Sequence, residues 1–131
     1  MELQTPYAFG KKYDVTFEAM EPKVRAELAK EGFGVLTEIN VKDKFKEKLD
    51  RDFRKYLILG ACNPPLAWEA FGREINIGTL LPCNVVIYEV VGGCCVMVMD
   101  PVAALSLIGN PDVSALALKV KEKMQRVLAA L

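Results

Sequence analysis

From Lys12 to Ala19 apolar and polar residues alternate, with Tyr13, Val15, Phe17 and Ala19 on one side and Asp14, Thr16 and Glu18 on the other. A period of two predicts a half-buried strand. Residues 1–11 show no clear period and are expected to form an arm or a frayed edge. Glu21-Pro22 opens a predicted helix running to about residue 31, with proline placed early, where its missing N–H is harmless. Val24 and Leu28 mark its apolar side and Gly32 its stop. Gly34 to Val41 reads as a second strand, with Val35, Ile39 and Val41 on its apolar face. Strand, helix and strand with short joints predict a right-handed crossover and a parallel pair.

Residues 42–54 are dense in charge, but Phe45, Leu49 and Phe53 recur every four positions, which predicts a short helix with one apolar stripe. Tyr56 to Cys62 is apolar on both sides, as in a central strand. Asn63-Pro64-Pro65 stops it and caps a helix over about 65–72. Residues 75–82 contain Gly78 and Pro82 and are expected as loop or short extended chain. Two strands, 84–91 and 94–99, flank Gly92-Gly93, a two-residue hairpin signal that pairs Val91 with Cys94. Asp100-Pro101 caps a short helix. Asn110-Pro111-Asp112 caps a last one, whose stripe runs from Val113 through Leu116, Val120, Met124 and Val127 to Leu131. The sum is one α+β domain over 1–131, a mixed sheet of about five strands with helices packed on one face.

The hairpin creates a surplus of apolar surface. One face carries Val85, Ile87, Val91, Cys94, Val96 and Val98, with Glu89 among them. The other carries Val86, Tyr88, Val90, Cys95, Met97 and Met99. The helices at 22–31, 65–72 and 112–131 supply one covering layer. The second face therefore calls for a partner, and a homodimer through that sheet face is expected. The alternative is that helices 42–53 and 101–108 wrap it.

Charge narrows the partners. Lysine plus arginine equals aspartate plus glutamate, so the net charge is zero and no basic block stands out. A nucleic-acid partner is not expected, nor an anionic membrane surface. No run reaches the roughly 18 apolar residues of a membrane span, and the N-terminal residues lack a signal-peptide core. The reading is a cytoplasmic protein with four reduced cysteines. Histidine is absent, which excludes His-based triads and His metal sites.

The run YLILGACNPPLAWEAF, then IGTLLPCNVVIYEV and the Gly-Gly turn, resembles the family catalogued as domain of unknown function 302. The resemblance extends more loosely over the whole chain. It implies a compact α+β domain and a homodimer, and it brings no assigned activity. Its Gly-x-Cys-Asn-Pro and Leu-Pro-Cys signatures fall on Gly60, Cys62, Asn63, Pro64, Pro82 and Cys83.

Cys62 and Cys83 are the sharpest chemical candidates. Cys62 lies where a strand gives way to a helix, and a helix start can lower a thiol's pKa. Against this, cysteine often serves as a small core residue. The two are 21 positions apart, so they form a copper(I)-type or redox pair only if the fold joins them. A crossover would put them at opposite sheet ends, whereas a chain returning through 75–82 would make the strands antiparallel and bring them together. Cys94 and Cys95 are adjacent in a strand and point to opposite faces. Glu89 is a candidate acid or base if buried, though it sits near a turn. Trp68, Phe71 and Tyr88 are core residues or the lining of a pocket. Two functions stay open: a dimeric module binding a small ligand or soft metal near Cys62, Asn63, Pro64, Pro82 and Cys83, and a thiol enzyme with Cys62 as nucleophile. No cofactor is identified.

Overall fold

The computed structural model describes residues 1–131. Six strands form one sheet in the order β1-β2-β6-β5-β4-β3. They are β1 (Glu2–Gln4), β2 (Ala8–Tyr13), β3 (Gly34–Asn40), β4 (Tyr56–Cys62), β5 (Cys83–Val90) and β6 (Gly93–Met99). The helices are α1 (Phe17–Lys30), α2 (Val41–Leu49), α3 (Pro64–Arg73), α4 (Pro101–Leu105) and α5 (Pro111–Ala130), with 3-10 turns at Ile75–Leu80 and Ser106–Ile108. The α+β class stands. The sheet has six strands rather than about five, and every neighbouring pair is antiparallel rather than mixed.

The first strand is the largest displacement from expectation. Residues 1–11 are no loose arm: β1 and β2 form the outer hairpin of the sheet, and β2 pairs with β6. The alternation from Tyr13 to Phe17 is real as burial, since Tyr13, Val15 and Phe17 all pack against the core. It is not a strand, because Thr16 accepts a hydrogen bond from the Ala19 N–H at 3.1 Å and starts α1 five residues before Glu21-Pro22. Pro22 then sits inside the helix. The crossover keeps its expected orientation, since four antiparallel steps leave β2 and β3 running parallel, but the two strands are not paired: β6, β5 and β4 lie between them, and α1 crosses the sheet face to join them.

One face is closed by α1 and α5. Leu59, Val85, Ile87, Val96 and Val98 meet Met20, Val24 and Leu28 of α1 and Met124 and Val127 of α5, all fully buried. Burying each such side chain contributes about 1.5–3 kcal/mol. A second, smaller cluster joins α3, α4 and the start of α5 through Ala70, Leu105, Val113 and Leu116.

The hairpin register differs from expectation by two residues. Val90 pairs with Gly93 and Tyr88 with Cys95, so Val91-Gly92 makes the turn, with φ 85° at Gly92. Gly93 pairs within the ladder at a position where a Cβ would collide with the Tyr13 carbonyl of β2, so only glycine fits there. A shift of two leaves every side chain on its expected face. The second face is thus apolar, and it is only partly covered. Phe45 of α2 meets Phe53 at 5.1 Å, Phe53 meets Tyr56, and Tyr56 stacks on Tyr88 at 5.4 Å. From the other side come Tyr7 and Ala104. Between them lies a trough of about 510 Å³ floored by Val86, Met97 and Met99.

Candidate functional site

The antiparallel register settles where the two cysteine segments meet. Ala61 pairs with Cys83 and Gly60 with Asn84, so the end of β4 and the start of β5 share one end of the sheet. The intervening 75–80 segment is a 3-10 turn rather than loop or extended chain, and it returns the chain to that end. The signatures interlock at Gly60. A Cβ there would overlap the Thr37 hydroxyl and stand 2.6 Å from Cγ of Pro82. The first signature supplies the gap, and the proline of the second lies against it.

Asn63 joins three elements. Its Oδ1 accepts the Leu66 N–H at 3.4 Å, capping α3, and its Nδ2 donates to the Glu31 carbonyl at 3.3 Å, at the end of α1. Pro64 follows at the first helical position, exposed. Around this joint is a cavity of about 240 Å³. Cys62, Asn63, Pro82 and Cys83 line it, Pro64 does not, and Phe33, Leu36, Ala67 and Phe71 make much of the remaining wall.

The thiols are held protonated. Burial pushes the Cys83 thiol up to about 11, with a smaller push from the charge of Cys62 beside it. Burial also raises Cys62, the opposite of the lowering expected at a helix start. The physical reason is that Asn63, not Cys62, takes the α3 N–H, while apolar neighbours leave the half-buried thiol partly shielded from water. No group of three or more potential metal-ligating side chains gathers anywhere in the chain.

Glu89 is not part of this site. It lies six residues along β5 from Cys83, about 20 Å away at strand rise. Its carboxylate accepts the Lys55 N–H at 3.0 Å and fastens the approach to β4. Cys94 and Cys95 are both buried, on opposite faces, Cys94 in the main core and Cys95 opposite Tyr88. The aromatic candidates separate: Phe71 lines the thiol cavity, Tyr88 the second-face trough, and Trp68 is 83% exposed and lines neither.

Phe33 and Leu36 escaped the sequence reading. Leu36 is the extra residue where the β3–β4 register shifts between Val35 and Thr37, and bulges of this kind re-aim side chains. The Gly32 stop before Phe33 was the one visible signal.

No curated protein matches the chain. A crystal structure of an "uncharacterized conserved protein DUF302" from Bacillus stearothermophilus superposes with a TM-score of 0.87 at 24% identity, covering 94% of this chain and 96% of that one. That likeness shows the fold. No helix is long and apolar enough to cross a membrane. The sequence match to "Domain of unknown function DUF302" runs over residues 9–131, and the chain belongs to that family.

Proposed function

We propose that the chain is a binding module that takes a small, mainly apolar ligand in the cavity at Cys62, Asn63 and Cys83. The observation that carries this reading is the convergence of both signatures on one cavity whose two thiols are kept neutral. A neutral thiol is a weak nucleophile and a weak metal ligand. It does suit an apolar pocket wall. An engineered apolar cavity of about 150 Å³ is enough to hold benzene, so the room here fits a single ring or a short branched chain. A thiol-enzyme reading needs a base near Cys62, and Glu89 is too far to serve. The soft-metal reading keeps one support, that both cysteines line the same cavity.

The test uses toluene as probe and Cys62 as reporter, since Cys62 is the one cysteine not buried. Toluene is expected to slow alkylation of Cys62 by iodoacetamide, and Ala67→Leu, which fills the cavity, is expected to abolish that protection. Alkylation that is fast at neutral pH would favour the enzyme. Stoichiometric copper in protein purified without chelators would favour the metal.

The module acts as a homodimer in this reading, with the second sheet face as the contact. Support comes from the trough between α2 and α4, where Val86, Tyr88 and Met99 remain half-buried. A specific contact buries more than about 1,000 Å² in total. Sedimentation equilibrium is expected to give twice 14.5 kDa, and a 14.5 kDa species at micromolar concentration would end the dimer proposal. Four unpaired thiols fit a reducing, cytoplasmic location.

A further inference from the structure

A third cavity, about 530 Å³, lies apart from both the thiol cavity and the second-face trough. It opens between the outer hairpin β1–β2 and α5, and it combines charge with apolar surface. Lys121 of α5 forms part of one wall. Its ammonium donates to Oδ2 of Asp100 at 2.9 Å and stands 5.6 Å from the centre of the Phe9 ring. Asp100 is itself fixed, because its Oδ1 accepts the N–H groups of Val102 and Ala103 at the start of α4. Burial alone would raise that carboxyl, but Lys121 and the two N–H groups hold it below its usual value. The cation is therefore set in place before any ligand arrives. An ammonium has three donors, and Asp100 occupies one.

Lys11 faces the same cavity from β2, on the side of the strand that carries Phe9. It is half-buried, and its side chain makes no ion pair or hydrogen bond. Gln125, one helical turn beyond Lys121, also lines the cavity with its amide unused. Leu3, Phe9 and Leu128 supply apolar wall. With Glu2 and Asp100 present, the four charged side chains balance to zero, which selects against polyanions. The volume falls within the roughly 300–1,000 Å³ of small-molecule sites, more than a bare inorganic anion requires.

We propose that this cavity binds a small monocarboxylate with an apolar body, the carboxylate taken by Lys11 and Lys121 and the body resting on Phe9, Leu3 and Leu128. The site is independent of the thiol cavity. The probe is hexanoate, titrated into the full chain and followed by backbone amide NMR, with 1-hexanol as its uncharged counterpart. Shifts are expected at Gly10, Lys11 and Gln125, with hexanoate bound about tenfold more tightly than hexanol, the scale of one hydrogen bond to a charged group. Lys11→Met should lower hexanoate affinity about tenfold and leave hexanol affinity unchanged. Equal affinity for the two probes overturns the proposal, as does the absence of shifts around Gly10 and Gln125, or a Lys11→Met variant that binds hexanoate unaltered. Should Lys11→Met not fold, the hexanoate-to-hexanol ratio on the unaltered chain decides by itself.

Discussion

Replacing Gly60 by alanine probes the contact that ties the two signatures together. The new Cβ would overlap the Thr37 hydroxyl and stand 2.6 Å from Cγ of Pro82, with Cβ of Thr37 at 3.4 Å. Carbon atoms rest about 3.5–4.0 Å apart. Thr37 is exposed on the edge strand β3, so its hydroxyl can rotate away. The Pro82 ring is bonded into the backbone and has no such freedom. β4 cannot withdraw either, since β3 and β5 hold it on both sides. Overpacking of this kind costs about 1–3 kcal/mol, and the rigid neighbour puts Gly60→Ala near the top of that span. Alanine recovers about 0.5–1 kcal/mol over glycine within a strand. The net loss is about 2 kcal/mol, or a fall in Tm of about 6–10 °C for a chain of this length. Urea denaturation should show a lower midpoint with an unchanged slope. In a Thr37→Ala background about 0.5–1 kcal/mol should return, because only the hydroxyl clash is relieved. A Tm within about 1 °C of the unaltered chain would refute the reasoning. Full recovery with Thr37→Ala would remove Pro82 from the contact.

Asn63→Ala should cost about 1–2 kcal/mol, since it deletes both the α3 cap and the link to the Glu31 carbonyl, whereas Pro64→Ala should stay within about 0.5 kcal/mol. Equal urea midpoints for the two variants would show that Asn63 is not the joint. Alkaline pH offers a third measurement. The Cys83 thiol, pushed up to about 11, keeps its proton more firmly folded than unfolded, where it titrates near 9.0. Its contribution is full below about pH 9 and is lost as pH rises toward 11, a decline of about 2–3 kcal/mol at most. Urea midpoints between about pH 8 and pH 11 should fall along this limb, and fall less steeply in Cys83→Ala, where the raised Cys62 and Cys94 thiols remain. Tyr13, raised to about 12 by burial and then by Cys94, should carry a further decline from about pH 10 upward in both proteins.

Much of the centre of the chain was legible because its signals are local. Strands β4 to β6 show as apolar runs between turn residues, and Asn63 and Asn110 announce their helices as caps. The N-terminal third misled because Tyr13, Val15 and Phe17 are half-buried at a spacing of two across a strand end, a joint and a helix start. The Thr16 cap outweighs that period, and nothing in the pattern favours Thr16 over Asp14. Sheet order is a different kind of information: the pairing of β2 with β6 leaves no mark on either segment alone. The site divides in the same way. Cys62, Asn63, Pro82 and Cys83 were visible through their signatures. Leu36 owes its place to one unpaired residue in β3, and Phe71 to the direction in which α3 leaves Asn63.

The pairing of β2 with β6 also sets a timetable. Ala8 waits for Met99 and Tyr13 for Cys94, partners more than 80 positions later in the chain. At a synthesis rate of about 5–20 residues per second, that delay is roughly 4–18 s. During it the meander from β3 to β6 can assemble from near neighbours, while the outer hairpin has no sheet to join. Long-range closure of this sort is the slow part of folding. The last amides to gain protection in pulsed hydrogen exchange should be those of residues 8–13. Until then Phe9 and its neighbours are open to other chains, and the first segment made is the last one home.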